Sequence, residues 1–178
     1  MILRAAGGLL GLVAADLPGH RMVRRSEGTA EFVPEEGGPV LEVSERVERR
    51  FLGRTVIARF RTVVPARDWG PGRASVIHTG RLRRQGIEVR DEYGSDEAAE
   101  LVETLGNDAE FVRSATQLDF TRFELSLDGE VCIADVELMG ASLVAIAFPP
   151  IRSYVRLHRD QREALIGTLT ALERVTAH

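Results

Sequence analysis

Between residues 41 and 64 the apolar side chains change parity. Leu41, Val43, Val47 and Phe51 fall on odd positions, and Val56, Ala58, Phe60 and Val64 on even ones. Successive side chains of a β-strand point to opposite faces, so one parity followed by the other fits two strands folded back on each other with both apolar sets on one face. Gly53-Arg54 sits between them. As the central pair of a type II′ turn it predicts Phe51 opposite Val56 and Val47 opposite Phe60.

The rest of the chain carries local signals of the same kind. Residues 29–33 read as a short strand and residues 34–39, PEEGGP, as a turn. Residues 65–73 form a Pro- and Gly-rich loop around Trp69. Residues 74–85 fit either a strand or a short helix closed by Gly86 with Arg81, Arg83 and Arg84 in its last turn, and residues 87–91 fit a short strand. Ser95 is a good N-cap, Asp96 and Glu97 occupy a first helical turn, and Ala98, Leu101, Val102 and Leu105 keep helical spacing. Asn107 starts a second helix, with Glu110 in the capping-box position and Phe111, Val112 and Ala115 on one side. Residues 118–127 and 130–138 flank Asp128-Gly129, a strong hairpin signal. That register sets Arg122 opposite Asp135 and Glu137 opposite Phe120, and puts Cys132 on the apolar face with Phe123, Leu125 and Ala134. Residues 143–148 are apolar on both faces, as a central strand is, until Pro149-Pro150. A helix over 160–176, with Leu165, Leu169, Leu172 and Val175 as its buried stripe, closes the chain.

Strands joined by tight turns, with helices at the ends and in the middle, predict an α+β fold: an antiparallel β-sheet built from hairpins with helices packed mainly on one face. The length of 178 residues suits a single domain over 1–178. Helix, hairpin and strands recur in the same broad order, which allows two similar halves, 1–91 and 92–178, although no residue-level repeat supports a duplication.

Composition closes several chemistries. All 23 basic residues are Arg. Without Lys there is no Schiff base, no P-loop lysine and no lysine general base. The single cysteine, Cys132, allows no intramolecular disulfide and no Cys-rich zinc site, which points to a reducing, cytoplasmic setting. His20, His78, His158 and His178 match no metal-ligand spacing, so neither a metal nor another cofactor is expected. Met1-Ile2-Leu3-Arg4 and the apolar stretch ending Val13-Ala14-Ala15 have the outline of a short signal peptide. Ile2, Ala6, Leu9, Leu10, Val13 and Leu17 also form one helical stripe, which is the better-fitting reading, and the stretch is too short to span a bilayer.

The net charge of −4 hides a sorting: residues 46–90 hold 12 Arg against 3 acids, while residues 91–137 hold 14 acids against 2 Arg. Such blocks mark either an anionic partner or two parts of one fold that attract each other. On the first hairpin the register above sets Arg46 opposite Arg61 and Glu48 opposite Arg59, with Arg50 further along the same row. Like charges directly opposed are unfavourable, so this row would welcome an anion. The commoner outcome for such a cluster is a solvated face whose Arg heads pair with Glu42, Glu48 or the acidic second half.

For catalysis the candidates are His78 with Thr79, His158 near the start of the last helix, and Asp135 or Glu137 on a strand, none with a motif around it. Nucleic acid is disfavoured: the domain is acidic and its aromatic residues show no alternating basic and aromatic pattern. The leading expectation is therefore a non-catalytic protein-interaction or self-association module whose Arg-bearing hairpin face (Arg46, Arg50, Arg59, Arg61) meets a protein partner or a second copy. The alternative is a binder of, or enzyme acting on, a small anionic ligand held by Arg46, Arg59 and Arg61, with His78 as proton carrier. A concave pocket into which the Arg and His converge would favour the second.

Overall fold

The computed structural model describes residues 8–50, 53–66, 69–80, 85–148 and 150–177, with the backbone alone at Arg50. Expectations resting on Ile2, Ala6, Phe51, Arg81, Arg83, Arg84 and Pro149 fall outside the described residues. The elements run α1 (Gly8–Asp16), β1 (His20–Ser26), β2 (Thr29–Pro34), β3 (Leu41–Arg50), β4 (Gly53–Pro65), β5 (Pro71–Thr79), β6 (Gly86–Gly94), α2 (Asp96–Asn107), α3 (Ala109–Gln117), β7 (Phe120–Asp128), β8 (Val131–Ile146), β9 (Ile151–Val155) and α4 (Arg159–Thr176). None of these helices is long and apolar enough to cross a membrane.

Among the described residues nine strands form one antiparallel sheet in the order β1-β2-β3-β4-β8-β7-β5-β6, with β9 also on β8. Strands from both ends of the chain are therefore neighbours, joined at β4 and β8. β8 is the long central rail. Along one side it pairs with β4 from Val131 to Ile146. Along the other it pairs first with β7, as far as Leu138, and then with β9 from Ser142. Ala141, the one described non-glycine residue with positive φ (55°), lies at this handover.

The parity expected for the first hairpin is what the strands carry. Leu41, Val43, Val56, Ala58, Phe60 and Val64 are buried together with Cys132, Ala134 and Val136. The same buried cluster takes in Leu9, Leu10 and Val13 of α1, Leu101 and Leu105 of α2, Phe111 of α3, and Leu165, Leu169 and Leu172 of α4. Polar ties fix the helices. Glu45 accepts from the Leu9 and Leu10 N–H groups at the start of α1. Asp16 at its end accepts from the Tyr154 hydroxyl (2.7 Å), the Leu157 N–H (2.8 Å) and the Arg156 guanidinium (3.0 Å). Burial works to raise the Asp16 pKa, but these donors outweigh it and hold the carboxyl below its ordinary value.

Several local expectations are corrected. Gly53-Arg54 is not the hairpin turn: Arg50 pairs with Gly53 and Arg49 with Arg54, so both lie in β4. Glycine is needed at 53 for a different reason. A Cβ there would sit 2.5 Å from the Ala145 carbonyl oxygen, so it is the close approach of β8 that requires it. The register slips by an even number of residues, and every side chain keeps its face: Val47 meets Val56 and Val43 meets Phe60. The second hairpin slips likewise: the chain reverses at Gly129 (φ 67°), where the Glu130 N–H donates to the Asp128 carbonyl oxygen at 2.7 Å, and Leu127 pairs with Cys132. Arg122 thus faces Glu137 and Glu124 faces Asp135, while an irregularity between Phe120 and Arg122 sets Phe120 on Leu138 and leaves it buried. Residues 71–79 are strand rather than helix. The second helix is capped by Asp108, whose carboxylate accepts from Phe111 N–H at 2.8 Å, and not by Asn107. His158 holds the N-cap position of α4 without a side-chain cap bond.

Candidate functional site

The face opposite the buried cluster is polar, and around Asp135 and Glu137 it is built from the odd positions of β4 and β8 and the even positions of β3 and β7. Arg46, Arg59 and Arg61 all project from it, as parity predicts. Their expected mutual opposition does not occur. Arg46 stands opposite Ile57, Arg59 opposite Ser44 and Arg61 opposite Glu42. The slip in register brings each onto a different neighbour, and their heads cross to carboxylates of β8. Arg61 grips Asp135 through two bonds, at 3.0 and 3.1 Å, and Arg59 reaches the same carboxylate at 2.9 Å. Arg46 donates at 2.7 Å to both Glu137 and Glu48. On β7, Arg122 grips Glu124 at 2.7 and 2.8 Å.

Asp135 is 8% exposed and Glu137 only 2%, although both stand on the polar face. Arg stems cover them while the charged heads remain partly in water. Buried carboxylates without partners would be costly, and the guanidiniums supply the compensation. The hydrogen bond to Glu137 raises the Arg46 pKa and that to Asp135 raises the Arg61 pKa, so both stay charged. The Arg122 contact pulls the Glu124 pKa down. The satisfaction is incomplete at three atoms: Glu137 Oε1, Arg46 Nε and Arg59 Nε are buried with no hydrogen-bond partner among the described residues.

Where β8 passes from β7 to β9 the polar face opens into a cavity of about 850 Å³, lined by Arg46, Arg122, Glu137, Thr121, Ser142 and Val155 among others. Its ionisable lining is acidic in balance, with Glu48, Asp119, Glu124 and Glu137 against Arg46 and Arg122. Arg59 and Arg61 are not among its lining residues. Arg61 borders a shallower depression of about 180 Å³ beside Glu31 and Glu42. His78 lies elsewhere, its ring stacked on Phe120 at 4.0 Å, and its strand parity is that of the buried Ala74 and Val76. The Arg50 side chain lies outside the described residues. The structure therefore brings Arg46, Arg59 and Arg61 onto one surface, in separate pairings, and sets His78 apart.

Sequence reasoning missed the roles of Asp135 and Glu137 as anchors. The available signal was two acids on alternate positions of a strand whose other parity, Cys132, Ala134, Val136 and Leu138, is wholly apolar. Cys132 is fully buried, and burial pushes its thiol up to about 12, which leaves it unreactive at neutral pH. No group of three or more His, Cys, Asp or Glu among the described residues is arranged to hold a metal ion.

No curated protein and no solved structure matches this chain. One family model matches over residues 15–176, nearly the whole chain, and the protein accordingly belongs to the family DUF3156, proteins of unknown function.

Proposed function

We propose that residues 1–178 work as one non-catalytic α+β binding module, with the helices gathered on the apolar side of the sheet and the polar face left to meet a protein partner or a second copy of the chain. The observation that carries this reading is the separation of the candidate groups. Arg46, Arg59 and Arg61 are each engaged by β8 carboxylates, and His78 is stacked on the other side of the sheet, so the candidate proton carrier stands apart from the candidate anion-holding groups. A surface of alternating, pre-paired charges is suited to recognition: its side chains are already ordered, which lowers the entropy lost on docking.

A second reading keeps the cavity as a small-ligand site, because Glu137 Oε1 is a buried acceptor without a donor among the described residues. An anion held by Arg46, Arg59 and Arg61 would have to compete with Asp135 and Glu137, whereas a ligand offering a donor to Glu137 would complete the network. Sedimentation equilibrium with the charge-reversed variant Arg122→Glu, run beside a thermal-shift panel of anionic metabolites and amines, separates the readings. Concentration-dependent association lost in the variant supports the module. A monomer at all concentrations whose melting temperature rises with one small molecule overturns it in favour of the cavity.

A further inference from the structure

The adjoining ends of β3, β4, β8 and β9 differ in character from the rest of the sheet. Across β3, β4, β8 and β9 the outermost described row is Arg50, Gly53, Ile146 and Ile151, and the next is Arg49, Arg54, Ala145 and Arg152. Arg49, Arg54 and Arg152 thus share one register, on strands about 4.8 Å apart. None of the three makes an ion pair with a described residue. The nearest acid in the register, Glu48, is one row further back and is held by Arg46. Beyond the rows, Phe148 in the β8–β9 turn is 83% exposed, the most exposed large apolar side chain described. Ile151 (48%) and Ile146 (38%) lie in the outermost described row, on the polar-face parity.

We propose that these strand ends, with Arg49, Arg54 and Arg152 in one row and Ile146, Ile151 and Phe148 ahead of it, are a docking edge for an anionic phospholipid surface. Charge complementarity selects the ligand chemistry, because three uncompensated guanidiniums in one row need phosphate or carboxylate oxygens. The distribution of the apolar groups selects a bilayer over an acidic protein segment. Ile146 and Ile151 occupy the outermost described row and Phe148 lies beyond it, so the exposed apolar groups stand ahead of the Arg49, Arg54 and Arg152 row. An acidic protein segment would meet the guanidiniums without needing apolar groups in front of them, whereas a bilayer offers an acyl layer just beneath its phosphates. The levels also match: the Arg row is one residue, roughly 3.3 Å, behind the outermost row, so the guanidiniums reach headgroup phosphates while Phe148 enters the acyl boundary. This surface is independent of the pre-paired centre of the polar face.

The test is co-sedimentation of the full chain with vesicles of phosphatidylcholine containing roughly one-third phosphatidylserine, against vesicles of phosphatidylcholine alone, at low salt. Binding is expected to the anionic vesicles only. Arg49→Gln and Arg152→Gln should each weaken it roughly five-fold, and Phe148→Ala roughly ten-fold. Arg90→Gln, on β6, should leave it unchanged. Phe148→Trp gives a second readout, a blue-shifted emission on anionic vesicles that signals burial of the ring even if another variant misfolds. Equal binding to both vesicle types, equal weakening by Arg90→Gln, or an unshifted emission from the Phe148→Trp variant would each overturn the proposal. Binding to polyglutamate but not to vesicles, insensitive to Phe148→Ala, would overturn it in favour of an acidic protein partner.

Discussion

Arg46, Arg59 and Arg61 come from the same two strands as Arg49 and Arg54, yet the two sets are used in opposite ways. The first three stand over β8 positions that carry Asp135 and Glu137, and their heads are spent on buried carboxylates. Arg49 and Arg54 stand over Ala145, with Arg152 beyond it, and no acid is within their register. The difference shows that arginine density alone does not mark a binding surface. What the neighbouring strand offers decides whether an arginine is part of the fold or available to something outside it.

The largest expected effect is at the shared carboxylate. Asp135→Ala leaves Arg59 and Arg61 without their anchor and should cost about 3 kcal/mol of unfolding free energy in a urea titration. A loss below about 0.5 kcal/mol would break the distinction between the two sets. Next, Arg46→Ala with Arg61→Ala should cost about 1–2 kcal/mol, because both side chains are partly exposed and their bonds are discounted by solvent. Arg49→Ala with Arg152→Ala should change stability by no more than about 0.5 kcal/mol. Equal losses from the two doubles would mean that the strand-end arginines are also structural.

Acid sharpens the comparison through Arg156, which follows Arg152 in the chain but is paired with Asp16. The Asp16 pKa is depressed in the fold by its donors, so its contribution is present above the unfolded value of about 4 and is lost as pH falls through the lower folded value. Glu124 behaves in the same sense through Arg122. The melting temperature should therefore fall below about pH 4, and Asp16→Asn should flatten that fall while Arg152→Ala leaves it intact. The smallest effect is that of salt. The basic stretch 46–90 meets the acidic stretch 91–137 where β4 pairs with β8, so raising sodium chloride screens attraction there and repulsion at the strand ends. A melting temperature that drops slightly for the native chain should drop further in Arg49→Ala, Arg152→Ala, from which the relieved repulsion has been removed.

Much of this architecture was legible because face assignment depends only on parity. Apart from the irregularity before Arg122, both hairpin registers differ from expectation by an even step, so Val43, Phe60, Cys132 and Leu125 are buried as expected although their partners differ. Helix ends were equally local: Ser95 caps α2 through its side chain at 3.2 Å. What parity cannot give is which residue stands opposite which, and every charge pairing depends on that. The observed register, with Gly53 opposite Arg50, turned a supposed Arg46–Arg61 repulsion into two separate attractions to β8. The strand-end row needed β4–β8 and β8–β9 pairing at once, and no short window of sequence contains Arg49, Arg54 and Arg152 together.

The long β8 rail has a consequence in time. Arg61 and Asp135 are 74 positions apart, so on a ribosome β4 is complete long before the strand that covers its outer edge. During that interval the β3–β4 hairpin exposes an unpaired edge, and the contacts that finally close it are non-local, which makes their formation slow. Nascent chains ending between β4 and β8 should thus be the species most in need of a chaperone, and aggregation during expression should track the rate at which residues 131–146 emerge.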